Sequence, residues 1–249
     1  MKELNNVTVV LVRPKYAENV GCAARAAFNM GIQHLCIIGA ETIDLDAARK
    51  TATHNATHLL ENACFADHIA DILPDFSMLV GTSARLGRGR RPTSLPEQLA
   101  TPLLPYLHFG RVGFVFGPES AGLTNDELKH CGILVTIPTA EFSSLNLAQS
   151  VGILCYEVRK GLFAEKGASR ALRLPQPAKS QELASMYFMA AQLLEALDTV
   201  SGHPKAAMHL KHLHQLLGRA IVSSKEAKVI KDACRHLVEA VENRKTTTP

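Results

Sequence analysis

The chain has 249 residues, of which 47% are hydrophobic and 20% charged, and this balance excludes a disordered protein. Its net charge of +4 suits a polyanionic partner, and its six scattered cysteines, without a C-x-x-C pair, argue against a disulfide framework and a structural metal site. The sequence has no run of about 18 apolar residues and no basic-then-apolar start, so we expect a cytoplasmic protein without membrane contact.

Short apolar runs alternate with helical patterns along the first two thirds of the chain. The runs that predict strands lie at 7–12, 35–38, 78–80, 112–116 and 133–137. Helical patterns lie at 19–30, 45–53, 54–64 and 147–162. Such alternation favours an α/β domain with a mostly parallel sheet and helices on both faces, whose ligands bind beyond the carboxyl ends of the strands. We expect this domain to span residues 1–165.

A linker at 166–180, marked by Pro175 and Pro177, separates this domain from a small all-helical C-terminal extension at 181–249. The first helix of the extension, about 181–199, carries only acidic charges. From His203 to position 236, by contrast, seven Lys and Arg residues accompany two acidic ones. This asymmetry predicts one helix that packs and further helices that face an anion.

The segment N-V-G-C-A-A-R, residues 19–25, follows the first predicted strand. Asn19 lies where a helix N-cap is expected, Gly21 removes side-chain bulk from the first turn, and Arg25 shares the face of Gly21. A phosphate or a partner can therefore approach the backbone closely. An alanine-rich core helix with a solvated arginine explains the segment equally well when it is taken alone.

Two further polar segments follow predicted strands. In G-P-E-S-A-G-L, residues 117–123, two glycines bracket Glu119, which is an acceptor for hydroxyl groups or a partner for arginine. In S-S-L-N, residues 143–146, three polar side chains precede an apolar helix, although N-capping needs only one. The alternatives are a plain strand-to-helix turn and a simple helix cap.

A glycine-broken basic loop, G-T-S-A-R-L-G-R-G-R-R-P at 81–92, follows the strand at 78–80. Its fork-shaped cations suit contacts to a phosphate backbone, although a solvated basic loop is the alternative. Its position after a strand end favours nucleic acid. With basic residues of the extension, the candidate RNA-binding set is Arg85, Arg88, Arg90, Arg91, Lys205, Lys211 and Arg219.

The three segments N-x-G-x-x-x-R, G-x-E-x-x-G-L and S-x-N, in this order, resemble the motifs of SPOUT-superfamily methyltransferases of the TrmH branch over about residues 5–165. G-T-S-A-R, L-T-N-D-E-L, S-S-L-N-L-A and Y-E-V-R are most similar to the TrmJ-type tRNA ribose 2′-O-methyltransferases. The resemblance implies the SPOUT fold with a C-terminal trefoil knot, and a homodimer with its site at the interface. It also implies S-adenosylmethionine as cofactor and, as substrate, the pyrimidine that opens the tRNA anticodon loop (position 32).

The resemblance assigns individual residues to two roles. The catalytic set is Arg25, Asn19, Glu119, Ser144 and Asn146. The cofactor-binding set, which acts mainly through backbone groups, is Thr82, Ser83, Ala84, Gly117, Ile137, Ser143, Ser144 and Leu145. Pro138 and the short connection at 139–142 depart from the family pattern on the adenine side of the pocket.

Two roles for Arg25 stay open. The family proposal makes Arg25 the general base, yet a guanidinium stays protonated because its pKa lies above about 12. In the second role, Arg25 clamps the flanking phosphate and stabilises the developing alkoxide. In both roles, we expect Arg25 to reach the cofactor of a partner protomer.

Other functions fit parts of the sequence. A ribosomal RNA 2′-O-methyltransferase shares the chemistry, and only the C-terminal extension argues for tRNA instead. A non-catalytic RNA-binding dimer does not require the full set of polar residues. A nucleotide-binding oxidoreductase would use Glu41, but the G-x-G-x-x-G fingerprint is missing. We expect no metal site, because neither a carboxylate nor a cysteine completes the cluster His203, His209, His212 and His214.

Overall fold

A computed structural model describes residues 2–40, 43–84, 94–142, 144–167, 176–202, 204–217 and 222–246. The chain divides into two compact units, Met1–Leu174 and Pro175–Pro249. Among the described residues, no helix combines the length and the apolar character needed to cross a membrane.

A parallel sheet forms the centre of the first unit. Its strands in the described part of the chain are β1 (Val7–Val12), β2 (His34–Ile38), β3 (Cys64–Ala66), β4 (Met78–Thr82), β5 (Val112–Phe116) and β6 (Ile133–Val135). They lie in the order β3-β2-β1-β5-β4-β6, and every recorded pairing between them is parallel. Parallel neighbours need crossover connections, and these hold the helices. The predicted parallel α/β architecture is confirmed.

The helices of the first unit connect and follow these strands. They are α1 (Ala17–Asn29), α2 (Leu45–Glu61), α3 (Ile69–Ile72), α4 (Ala100–Phe109), α5 (Asn125–Lys129) and α6 (Leu147–Gly167). Short 3-10 turns precede β1, β4 and α4. The trefoil knot that the resemblance implies stays a prediction for this chain.

Both faces of the sheet are covered, as the near-continuous apolar runs predict. On one face, Val10 and Val115 pack into a cluster with Ile69 and Ile72 of α3 and Leu128 of α5. Every residue of β1 is buried, including those that alternate to the opposite face. On that side α1 packs against both α2 and α6, and α4 packs against α6.

Helix α2 contains a break where the sequence predicts the junction of two helices. Thr53 has φ 61° and ψ 162°, a backbone region that is almost confined to glycine. The two helical patterns at 45–53 and 54–64 therefore correspond to one element with an interruption. The second pattern extends too far, since α2 ends at Glu61 and Cys64–Ala66 forms the edge strand β3.

The second unit contains three helices in its described part, α7 (Ser180–Ser201), α8 (Ala206–Leu217) and α9 (Ser224–Thr246). Among its described residues, a small buried cluster contains Ala178, Met186, Val222 and Ala227. The Ala178 amide donates to the Val222 carbonyl at 2.7 Å and joins the start of the unit to the segment before α9. The predicted helical C-terminal region is confirmed.

Candidate active site

The three polar segments meet beyond the carboxyl ends of β1 and β5 through a row of hydrogen bonds. The Nδ2 group of Asn19 donates to Oε1 of Glu119 at 2.6 Å. Nδ2 of Asn146 donates to Oδ1 of Asn19 at 2.9 Å. The structure thus joins one side chain from each segment, although the first and last are 127 residues apart in sequence. The row forms because α1 and α6 pack side by side.

The expected N-cap role of Asn19 is wrong, and Asn146 caps a helix instead. Helix α1 begins at Ala17 with Tyr16 as its N-cap, so Asn19 lies inside the first turn and is not the N-cap. Its side chain is therefore available for Glu119. Asn146 is the residue that caps a helix, because its Oδ1 accepts from the amides of Ala148 at 2.9 Å and Gln149 at 3.4 Å.

The carboxylate of Glu119 is an ionised hydrogen-bond acceptor. Burial raises the pKa of Glu119, but donation from the Asn19 side chain and from the Lys15 and Tyr16 amides lowers it more, so its pKa lies below the ordinary value. The Lys15 amide is 3.0 Å from Oε2. A carboxylate with a lowered pKa is a weak base but a strong acceptor for hydroxyl groups.

Gly21 allows a close approach, but to the neighbouring helix of the same chain. A Cβ atom on Gly21 would lie 2.0 Å from the carbonyl oxygen of Ala48 and 2.1 Å from Oγ1 of Thr51. The expectation that Gly21 opens the first turn to a phosphate or a partner is therefore wrong. Arg25, four residues further along the same helix, is exposed, whereas Gly21 is buried.

A cavity of about 240 Å³ adjoins the hydrogen-bonded row. Glu119 belongs to its wall, so the cavity and the row share this residue. Of the eight residues predicted to bind the cofactor, seven line the cavity, namely Thr82, Ser83, Ala84, Gly117, Ile137, Ser144 and Leu145. The eighth, Ser143, lies outside the described residues.

Backbone turns shape this cavity. A Cβ atom on Gly117 would lie 2.3 Å from the Leu123 amide nitrogen, because the loop after β5 folds back onto its own start. Gly122, with φ +67°, makes that return possible, and its amide donates to the Pro118 carbonyl at 2.8 Å. Across the cavity, the Ser83 amide donates to the Val135 carbonyl at 3.0 Å and fixes the end of β4 to β6.

Comparison with known proteins identifies the family. A model described as the SpoU rRNA Methylase family matches residues 6–156. The chain belongs to this SpoU family. TrmJ of Pseudomonas aeruginosa, named as a tRNA (cytidine/uridine/adenosine-2′-O-)-methyltransferase, is 35% identical over 92% of each chain. TrmJ of Methanocaldococcus jannaschii, named as a tRNA (cytidine-2′-O-)-methyltransferase, is 32% identical over 89% of this chain and 95% of its own.

Solved structures agree with the SpoU assignment. The crystal structure of TrmJ from Z. mobilis ZM4 matches with a TM-score of 0.73 and 29% identity, over 92% of this chain and 98% of that one. A probable methylase family protein from Haemophilus influenzae matches with a TM-score of 0.63 and 28% identity over 99% of this chain. Both similarities extend through the helical second unit.

Sequence reasoning missed part of the site of this SpoU-family chain. Ser120, Leu147 and Ser150 also line the cavity, together with the rest of the turn at 118–123. The turn was within reach, since it belongs to the G-P-E-S-A-G-L segment. Leu147 and Ser150 lie on the first turn of α6, where an apolar helical pattern gives no signal of a cavity.

The sequence also did not predict an ion pair between Arg13 and Glu127. Arg13 donates to both carboxylate oxygens of Glu127, with Nη2 3.1 Å from Oε2. The same carboxylate accepts from the Thr124 amide at 2.7 Å, within the capping box of α5. Arg13 itself has φ 45°, in the left-handed region. The pair therefore links the loop after β1, which leads to Asn19, to the element that follows the Glu119 loop.

Several predicted RNA-binding residues lie outside the described part of the chain. They are Arg85, Arg88, Arg90, Arg91 and Arg219. Lys205 and Lys211 are described, and both are exposed, at the start of α8 and along it. Within the described residues, no three His, Cys, Asp or Glu side chains are grouped so that they could hold a metal ion.

Proposed function

We propose that this chain is an S-adenosylmethionine-dependent ribose 2′-O-methyltransferase that acts on tRNA. The observation that carries the proposal is the hydrogen-bonded row Glu119–Asn19–Asn146 at the wall of a cavity lined by the expected cofactor residues. Relatives named as tRNA 2′-O-methyltransferases match through the second unit as well, which favours tRNA over ribosomal RNA. A pyrimidine that opens the anticodon loop is the proposed target.

The residues around the cavity fit the proposed cofactor. Ile137 and Leu145 offer aliphatic surface for a flat purine, and Thr82 and Ser144 offer hydroxyl groups for its polar substituents. Any side chain at position 117 would collide with the loop that closes the cavity. S-adenosylmethionine, when bound there, supplies a methyl group activated by a sulfonium.

The chain's own residues then orient the acceptor ribose. Glu119 accepts from a ribose hydroxyl, and Asn19 keeps the carboxylate in place. Ser144 and Asn146 would hold the other side of the nucleotide and so orient the 2′-oxygen toward the cofactor cavity. Alignment of the two reacting atoms accounts for most of the acceleration. With the cofactor bound, the methyl group would pass from the sulfur to the 2′-oxygen, and the hydroxyl proton would go to Arg25 of the partner protomer or to water.

Arg25 is assigned to the partner's site in a homodimer. It lies on the solvent side of α1, whereas Asn19 points toward Glu119 of its own protomer. The neighbouring helix α6 exposes Ile153 and Tyr156, 37% and 52% accessible, so the two helices together present an apolar face with a cation. Such a self-complementary face suits a two-fold dimer. Arg25 there clamps the phosphate beside the target ribose or accepts its proton.

The test is tritiated methyl transfer to an unmodified tRNA transcript, with nucleoside analysis of the product. Arg25→Ala is expected to abolish transfer while calorimetry gives the wild-type cofactor affinity. Loss of cofactor affinity would remove Arg25 from the catalytic role. Arg49→Ala, which changes an exposed arginine of α2, is the control and keeps full activity.

A mixing experiment separates an arginine that acts across the dimer from one that acts within its own protomer. Arg25→Ala and Asn19→Ala chains are each inactive alone, and mixed dimers regain one intact site only if Arg25 acts across the interface. Co-expression should then restore about a quarter of wild-type activity, because half of the dimers are mixed and each has one of two sites. No recovery would place Arg25 in its own protomer's site.

The basic residues are proposed to bind the tRNA backbone. Lys205 and Lys211 on the second unit, with the arginines at 85–91 and Arg219, contact phosphates and release counterions. The affinity for tRNA should therefore fall steeply with salt, with a slope that decreases by about one for each lysine removed. Affinity that is independent of salt would contradict this role.

A further inference from the structure

Tyr16 lies at the start of α1, where its side chain does not cap the helix. It is the N-cap residue of α1, where Ser, Thr, Asp or Asn normally accept a hydrogen bond from the first turn, and no such bond is present. The residue is 49% exposed. A tyrosine at this position stabilises the helix less than a capping residue would. The exposed ring therefore indicates a role other than capping.

The backbone that carries this ring is fixed by the proposed ribose site. Glu119 accepts from the Lys15 amide at 3.0 Å and also from the amide of Tyr16. The Asn19 amide donates to the Tyr16 carbonyl at 3.1 Å. Glu119 and Asn19, which we assign to the ribose, therefore fix the position of the backbone from which the Tyr16 ring extends. Tyr16 directly precedes α1 and is three residues before Asn19, so its backbone lies within one helical turn of that of Asn19.

A cation accompanies the ring. The ammonium of Lys15 lies 5.2 Å from the centre of the Tyr16 ring, within the range of a cation–π contact. Both side chains are exposed. An exposed aromatic ring beside a lysine is the combination with which proteins bind unpaired nucleotides, since the ring stacks on a base and the cation meets a phosphate.

We propose that Tyr16 and Lys15 form a nucleobase subsite, in which the base of the target nucleotide stacks on the Tyr16 ring. This inference rests on the proposed function, which assigns the ribose to Asn19 and Glu119. The base is bonded to the ribose carbon next to the one that bears the 2′-oxygen, so it lies within a few bonds of those groups. Because every base has a flat face, this subsite positions cytidine and uridine alike.

The test compares Tyr16→Leu, which removes the aromatic face, with Tyr16→Phe, which keeps it. Tyr16→Leu should raise the KM for tRNA roughly tenfold or more, the range known for loss of one stacked base, while cofactor affinity stays at the wild-type value. Tyr16→Phe should behave as wild type. Phe109→Leu is the matched control: Phe109 is similarly exposed, at 43%, but ends α4 before β5, at the opposite edge of the sheet.

A fluorescent base reports on stacking directly. Pyrrolocytidine at the target position of a tRNA transcript should be quenched by wild-type protein and by Tyr16→Phe, and should stay bright with Tyr16→Leu. Melting temperatures confirm that each variant is folded. A wild-type KM and normal quenching in Tyr16→Leu would overturn the subsite, and so would a Tyr16→Phe variant as impaired as Tyr16→Leu.

Failure of the subsite and failure of the proposed function give different results. If wild-type protein neither binds S-adenosylmethionine nor methylates any tRNA transcript, the proposed function fails and the subsite falls with it. If wild-type protein is active and Tyr16→Leu matches it in KM and quenching, only the subsite is wrong.

Discussion

The carboxyl edge and the amino edge of the sheet use polar groups in opposite ways. At the amino edge, the Asn6 side chain donates to the Leu107 carbonyl at 2.7 Å, and Arg111 donates to the hydroxyl of Thr8 at 3.1 Å. These bonds connect Asn6 to α4, and the start of β1 to the residue before β5. At the carboxyl edge, the polar groups of Asn19, Glu119 and Asn146 bond to one another at the wall of a cavity.

The contrast follows from chain direction. In a parallel sheet every strand enters at one edge and leaves at the other, and the loops that leave approach the next helix N-terminus. Similar hydrogen bonds therefore stabilise the fold at one edge and shape a candidate ligand site at the other. Substitutions at the two edges should therefore affect different quantities.

The largest expected effect comes from matched asparagines. Asn19→Ala removes the middle of the row, so Glu119 loses its side-chain donor and the acceptor ribose its alignment. The kcat should fall by roughly 100-fold, as expected for a small misplacement of reacting groups, with cofactor affinity unchanged. Asn6→Ala should instead cost about 1 kcal/mol of unfolding free energy and keep the wild-type kcat. Equal kcat losses in the two variants would contradict the assignment of catalysis to the carboxyl edge alone.

The next largest effect is expected from alanine substitution at Gly117 and at Gly110. In Gly117→Ala the new methyl group meets the Leu123 amide nitrogen at 2.3 Å, so the loop must move and the cavity changes shape. Calorimetry should show cofactor affinity reduced by about tenfold or more, equivalent to about 1.4 kcal/mol. Gly110→Ala meets Oγ of Ser77 at 2.0 Å at the amino edge. It should lower the melting temperature and leave cofactor affinity at the wild-type value, and the reverse pattern would refute the assignment.

The smallest effect concerns the Arg13–Glu127 pair and depends on pH. Burial raises the pKa of Glu127, but hydrogen bonds from Arg13 and Thr124 lower it more, so its pKa in the folded protein lies below the ordinary value. The stability it contributes is therefore present above the pKa of an unfolded glutamate, about 4.3, and is lost as the pH falls through the lower folded-state pKa.

Glu127→Gln provides the measurement. It should cost about 1 kcal/mol or less at pH 7, because the arginine side chain is 43% exposed. The difference from wild type in urea unfolding should shrink as the pH approaches 3. A difference that is constant with pH would mean that the charge on Glu127 contributes nothing.

The sequence predicts the buried central strands correctly but does not predict the edge strand β3 or the helix α4. The apolar runs at 7–12 and 112–116 coincide with β1 and β5, because strands covered on both faces are continuously apolar. β3 escaped prediction because it is a short edge strand whose Phe65 is 54% exposed. α4 also escaped, since Pro102 and Pro105 interrupt its helical pattern.

For the site, local motifs identified the residues but not their contacts. The cofactor residues follow strand ends, and a parallel sheet collects such residues at one edge. The Asn19–Asn146 bond joins segments 127 residues apart, and nothing in either segment specifies it. An alanine-rich helix shows no clear polar side, so only its packing against α2 and α6 reveals that Gly21 is buried and Arg25 exposed.

The row from α6 to Glu119 also has a direction. Backbone amides at the start of α6 donate to Oδ1 of Asn146. The side-chain Nδ2 of Asn146 donates to Asn19, and the side-chain Nδ2 of Asn19 donates to the carboxylate. Each asparagine side chain accepts through its oxygen and donates through its nitrogen. Rotation of either side-chain amide by 180° would therefore place two donors or two acceptors against each other. The single charge lies at the last position, and the two amides do not titrate. The orientation of the row should therefore be independent of pH throughout the range in which Glu119 is ionised.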